Sequence, residues 1–156
     1  MNRRWHLSQL HGYLELGMDR QALAELRLLP AEVRAEAAFL AVALQLHQKA
    51  ERWPSAVRTA RQLVRLEAEE AGWWIALAYA TRRSRSIAAA RRILLEAEAL
   101  HPAEPTIQFN LACYAAQSGE LDEARTRLAQ AITRESGFAE LARNDPDLEP
   151  LRRAAE

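Results

Sequence analysis

One spacing governs this sequence. Sliding the 156-residue chain against itself by 34 positions superposes Ala22, Ala56, Ala90 and Ala124, a small residue at the start of four helical patterns. The same shift aligns Leu26, Leu94 and Leu128 four places later, with Ala60 in the second copy. It also stacks Trp5, Phe39, Trp73 and Ile107 near the start of each copy. Gly17 and Gly119, each followed by a helix-start pattern, lie three periods apart. A fixed period sustained over four copies marks a repeat architecture, because a single supersecondary unit of this size cannot bury its apolar face alone. The units predicted are 3–36, 37–70, 71–104 and 105–138, followed by a capping tail over 139–156.

Composition says what each unit is made of. Ala, Leu, Arg and Glu, all strong helix formers, number 32, 23, 20 and 17,. Val, Ile and Thr together number only 14, and Gly plus Pro only 11, too few for a sheet or a loop-rich fold,. The chain is therefore all-α, and each unit is a pair of antiparallel helices, A then B. Small residues let the two backbones approach where they cross: Ala78 and Ala112 on A, and Ala22, Ala56, Ala90 and Ala124 on B. Bulky Trp, Phe and Leu side chains fill the groove to the next unit. The predicted helices are 4–16, 19–29, 31–50, 54–69, 71–82, 86–100, 105–117 and 121–134, then a short capping helix near 138–143. Gly119 suits a left-handed helix end, Pro54 suits a first helical turn, and Pro102 and Pro105 bracket a turn.

These residues resemble the tetratricopeptide repeat, a 34-residue helix–turn–helix unit. The third unit matches best, with Trp74, Leu77, Ala78, Ala90, Leu94, Ala97 and Pro102 at the family's spacing. The fourth matches through Leu111, Ala112, Gly119, Ala124, Leu128 and Ala131, but has Ser136 where the family favours Pro. The second keeps Trp53, Ala56 and Leu63. The first keeps Tyr13, Gly17, Ala22 and Leu26, and Pro30 shortens its second helix. The tail from Asp145 to Arg152 looks like the ending of many bacterial members.

The resemblance implies a right-handed superhelical stack of helix pairs, an α-solenoid in a single domain, with the A helices forming a concave wall that holds a partner's peptide or helix. Carried onto this sequence, that wall is Leu7, His11, Ala41, Gln45, Ile75, Tyr79, Arg82, Arg83, Phe109, Cys113 and Gln117. Leu7, Ile75, Tyr79 and Phe109 would make a discontinuous apolar strip, and exposed aromatics are the residues that anchor interfaces. Some family members grip a chaperone's C-terminal carboxylate with a clamp of cationic side chains. Here the clamp positions hold residues such as Leu7, Val42, Gly72 and Ala76, or Ala41, Ala76 and Thr106, so the clamp is absent.

Charge adds a second feature. The formal net charge is zero, yet residues 49–92 carry ten basic side chains against four acidic, a net of +6, and residues 93–156 carry six against twelve, a net of −6. Lys49, Arg52, Arg58, Arg61, Arg65 and Arg85 form the core of a basic stripe, with Arg58, Arg61 and Arg65 at helical spacing. Guanidinium groups make planar two-pronged contacts with carboxylate or phosphate, so the stripe suits an acidic segment or anionic headgroups.

Several classes of function find no support. The longest apolar run, Trp73 to Ala80, falls far short of the ~20 residues of a membrane span,. The N-terminal stretch is too polar for a signal peptide, and the single Cys113 suits a reducing compartment, so a cytoplasmic protein is expected. His6, His11, His47 and His101 do not form a metal constellation. No phosphate-cradling glycine loop, serine elbow or paired carboxylates point to catalysis, and no cofactor is implied. The basic stripe lacks interleaved aromatics, which argues against nucleic acid. The expectation is a non-enzymatic adaptor, monomeric or weakly self-associating, that binds a protein partner. A filament or anionic-membrane accessory protein of the bacterial kinesin-light-chain type is one alternative, and a secretion-type chaperone another.

Overall fold

A computed structural model describes residues 1–155. Its A helices begin at Arg3, Ala37, Ala71 and Pro105 and its B helices at Asp19, Trp53, Ile87 and Leu121, each series advancing by the 34-residue period. No strand occurs among the described residues. The chain forms two compact units, Met1–Ser84 and Arg85–Glu156, so the third repeat's A helix belongs to the first and its B helix to the second.

The first unit contains α1 (Arg3–Glu15), α2 (Asp19–Leu28), α3 (Ala31–Arg34), α4 (Ala37–Lys49), α5 (Trp53–Leu66) and α6 (Ala71–Ser84). Its core joins Leu10 and Leu14 of α1, Ala22 and Leu26 of α2, Val33 of α3, and Phe39, Val42 and Leu46 of α4. Ala22, Ala56 and Ala78 are wholly buried, which is the close backbone approach that small side chains permit,. The sequence suggests one helix over 31–50, but the structure divides it. Val33 anchors the short α3 in the core, while Glu36 turns extended and restarts the helix in register as α4. Helix α2 has 10 residues where its counterparts α5, α7 and α9 have 14. Pro30 has no N–H to continue α2 and disfavours helix in the residue before it, so Leu29 is already extended,.

The second unit contains α7 (Ile87–Leu100), α8 (Pro105–Gln117), α9 (Leu121–Arg134), α10 (Phe138–Asn144), a 3-10 turn (Pro146–Leu148) and α11 (Glu149–Arg153). The tail thus holds more structure than the single capping helix expected near 138–143. The Asp145 carboxylate accepts from the Asp147 N–H at 2.9 Å, and the Arg152 guanidinium donates to the Ala142 and Asp145 carbonyls at 2.7 and 2.9 Å.

The turns from A helix to B helix share one device. After α1 and α8 the chain turns through Gly17 (φ 69°) and Gly119 (φ 82°). The next N–H then reaches back, Met18 to the Tyr13 carbonyl at 2.8 Å and Glu120 to the Ala115 carbonyl at 2.9 Å,. The second repeat makes the same turn with Glu51 (φ 53°), and Arg52 N–H bonds the His47 carbonyl at 2.8 Å. At the corresponding turn the third repeat relies on Ser86, whose Oγ accepts from Ala89 N–H at 3.1 Å and caps α7,.

Candidate functional site

The A helices of the first unit meet around an open cavity of about 280 Å³. Helix α1 contributes His11, α4 contributes Ala41, Val42, Leu44, Gln45 and Gln48, and α6 contributes Trp73 and Ala76. The cavity follows from residue size: Ala41 and Ala76 leave volume unfilled where larger side chains would close it. The Trp73 indole forms one wall, its Nε1–H donating to Glu67 Oε2 at 2.8 Å. Three residues assigned to the concave wall from sequence, His11, Ala41 and Gln45, come together here. Trp73, which the 34-residue step aligns with Trp5, Phe39 and Ile107, lines the cavity as well.

The remaining wall residues fall elsewhere. Leu7 is half-buried against the first unit's core, because α1 turns that side toward α2 and α4. Ile75 and Arg82 are half-buried. Tyr79 and Arg83 assemble with Trp53 of α5. The Trp53 and Tyr79 rings meet edge to face at 5.6 Å, and the Arg83 guanidinium lies 5.4 Å from one ring centre and 5.3 Å from the other, donating to the Tyr79 hydroxyl at 3.1 Å. This is a cation held on two aromatic faces, which fixes an otherwise flexible side chain on an exposed surface.

In the second unit the assignment of Phe109 and Cys113 to an open wall is corrected. Phe109 stacks on Phe138 of α10 with ring centres 4.8 Å apart, and both Phe109 and Cys113 are buried. The 3-10 turn and α11 lie against α8, with Leu148 only 1% exposed. Gln117 stays at the surface, but its amide donates to the Asp147 carbonyl at 2.9 Å. The chain's own ending therefore occupies the face of α8. Cys113, Asp145 and Asp147 offer ligand atoms within 4.8 Å of one another, although the Asp145 carboxylate already caps the 3-10 turn.

The basic stripe divides by partner. Lys49 pairs with Asp19 at 2.7 Å, and Arg58 donates to Ser55 Oγ at 3.0 Å. Arg52, Arg61, Arg65 and Arg85 are exposed. In the second unit basic and acidic groups interlock: Arg91 bridges Glu120 (2.8 Å) and Glu123, and Arg127 bridges Glu98 (2.9 Å) and Glu123 (2.7 Å). The Arg127 hydrogen bond, followed by those involving Glu120 and Arg91, holds the Glu123 carboxyl below its ordinary value. Burial works against ionisation of Glu98, yet hydrogen bonds from Gln108 and Arg127 hold it below the usual range as well. Sequence reading missed this network: only the Glu123–Arg127 pair has a helical i,i+4 spacing, and the other links join α7, α8 and the start of α9 across the sequence. No described helix is long and apolar enough to cross a membrane.

No family model and no curated protein matches the sequence. Solved structures do resemble the fold. A crystal structure of MamA protein superposes with a TM-score of 0.79 at 17% identity, over 98% of this chain and 85% of that one. YrrB, described as a TPR protein with an unusual peptide-binding site, gives 0.66 at 17% identity over 96% and 82%. The thermophilic TPR protein TTC0263 of Thermus thermophilus gives 0.67 at 18% identity over 96% and 86%. At these identities the likeness is one of fold, and the fold is that of tetratricopeptide-repeat proteins.

Proposed function

We infer from the tetratricopeptide-repeat fold that this chain is a protein-interaction scaffold, and we propose that it holds a partner's extended peptide or helix on the A helices of its first unit. The observation that carries the reading is the open cavity where α1, α4 and α6 meet. Ala41, Trp73 and Ala76 offer an apolar seat for one side chain, and His11, Gln45 and Gln48 offer donors and acceptors for a peptide backbone,. YrrB, a protein of the same fold, is described as having an unusual peptide-binding site, which supports a peptide as the partner here. The role is an adaptor's, in which binding is the whole activity and no reaction is assigned.

Affinity capture from a native lysate, followed by calorimetry with tiled peptides of the captured protein, tests this. Ala41→Trp fills the cavity, and Gln45→Ala removes an exposed polar contact without touching the core. Either should weaken the peptide at least tenfold with the helical circular dichroism unchanged. Wild-type affinity in both variants would remove the proposal.

The exposed guanidinium groups of Arg61 and Arg65 on α5 favour a partner that also carries an acidic segment,. Acidic filaments or anionic bilayers would draw on the same cations. Co-sedimentation with acidic but not neutral liposomes distinguishes that accessory role from a soluble adaptor.

A further inference from the structure

A second cavity, of about 340 Å³, opens in the first unit among α2, α3, α4 and α5, and it shares no residue with the A-helix cavity. Its origin is visible in the chain: α2 stops a turn early at Pro30, and the short α3 does not refill the space that the missing turn would occupy. Leu26, Leu40 and Ala43 give it an apolar floor, while Arg27 of α2, Arg34 of α3 and His47 of α4 stand around it. Arg27 and Arg34 are exposed, and neither has an ion-pair partner among the described residues.

We propose that this cavity binds a compact amphipathic anion, its apolar body on Leu26, Leu40 and Ala43 and its carboxylate or phosphate head between Arg27 and Arg34. Two exposed guanidinium groups lining one apolar cavity are well suited to a planar two-pronged oxyanion contact,. His47 reinforces the arrangement as a neutral ring. Burial first, and then the charges of Arg52, Arg58 and Arg27, keep it below its ordinary pKa, so near neutral pH it offers one donor and one acceptor,. A pocket of this volume falls at the small end of those that enclose a ligand of modest size.

Calorimetric titration of the full chain with octanoate, octyl phosphate and octanol tests the assignment. At least one of the two anions should bind at least tenfold more tightly than octanol, and the two anion arms identify the preferred head. The double variant Arg27→Gln/Arg34→Gln, at exposed positions, should lose that affinity at least tenfold, whereas Arg4→Gln/Arg92→Gln, at exposed positions outside the cavity, should keep it. Because the cavity is separate from the A-helix face, the double variant should capture the peptide partner as the wild type does. Equal binding of octanol and both anions, no binding of any probe, or undiminished affinity in the double variant would each overturn the proposal.

Discussion

A glutamate at φ 53° is an uncommon choice. Glu51 occupies the turn that Gly17 and Gly119 make in the first and fourth repeats, and a side chain in the left-handed region crowds its own carbonyl at a cost of about 1–2 kcal/mol,. Open space surrounds both glycines, so the preference at this position is a backbone one. Glu51→Gly should therefore stabilise the chain by roughly 1 kcal/mol, less the entropy that glycine loses on folding, and Gly119→Ala should destabilise it by about as much. Urea melts of the two variants would check the pair. Nothing in the identity of Glu51 announces its conformation; its place one period after Gly17 does, which makes the turn legible from the repeat and not from the residue.

The same scale governs the response to acid. Glu98 and Glu123 titrate below their ordinary value in the folded chain, so the unfolded chain takes up protons first as pH falls,. Their stabilisation is fully present above the ordinary carboxylate range, near pH 4.5 and upward, and is lost as pH drops through the depressed values. Arg127→Gln should cost about 1–2 kcal/mol at pH 7, because it leaves two partly buried carboxylates short of a donor. It should also flatten the fall in stability below about pH 4.5. Thermal melts from pH 3 to 7 for wild type and variant test both parts, and parallel curves would contradict them.

At the scale of elements, sequence periodicity locates helices well and their partners poorly. Each A and B helix starts where the 34-residue step puts it, because capping residues, prolines and turn glycines act locally,. Two elements fall outside that logic. Pro30 signals a shortened α2, but not the separate α3 that follows or the cavity they leave. The tail signals a cap, yet that Phe109 and Cys113 lie beneath it depends on Phe138 and Leu148 docking from distant sequence. Leu148→Ala should cost about 2–5 kcal/mol, the range for a fully buried leucine, and calorimetric unfolding would measure it. A loss below about 0.5 kcal/mol would mean the tail is only loosely seated.

At the scale of the whole molecule, a net charge of zero conceals two different surfaces. In the second unit the two partly buried basic side chains of α7 and α9, Arg91 and Arg127, both meet carboxylates of the same unit, whereas in the first unit Arg61 and Arg65 face outward. Which charges neutralise one another is set by which helices abut, and a charge count along the sequence cannot supply that. If the exposed group engages an acidic partner segment, capture should weaken progressively between about 50 and 500 mM salt, since exposed charges are screened over about a Debye length. Arg61→Ser/Arg65→Ser should reduce that salt dependence. Salt-independent capture would assign recognition to the uncharged A-helix cavity alone.

The burial of the chain's only thiol gives the molecule its own stopwatch. The Asp145 and Asp147 carboxylates lie within 4.8 Å of the Cys113 sulfur, so the 3-10 turn is part of its cover. A reagent's rate with Cys113 divided by that with a free thiol yields the fraction of time the cover is off. A slowing of about a thousandfold would correspond to a lifting free energy of about 4 kcal/mol. No engineered probe is needed, and with a single cysteine every adduct reports the same event.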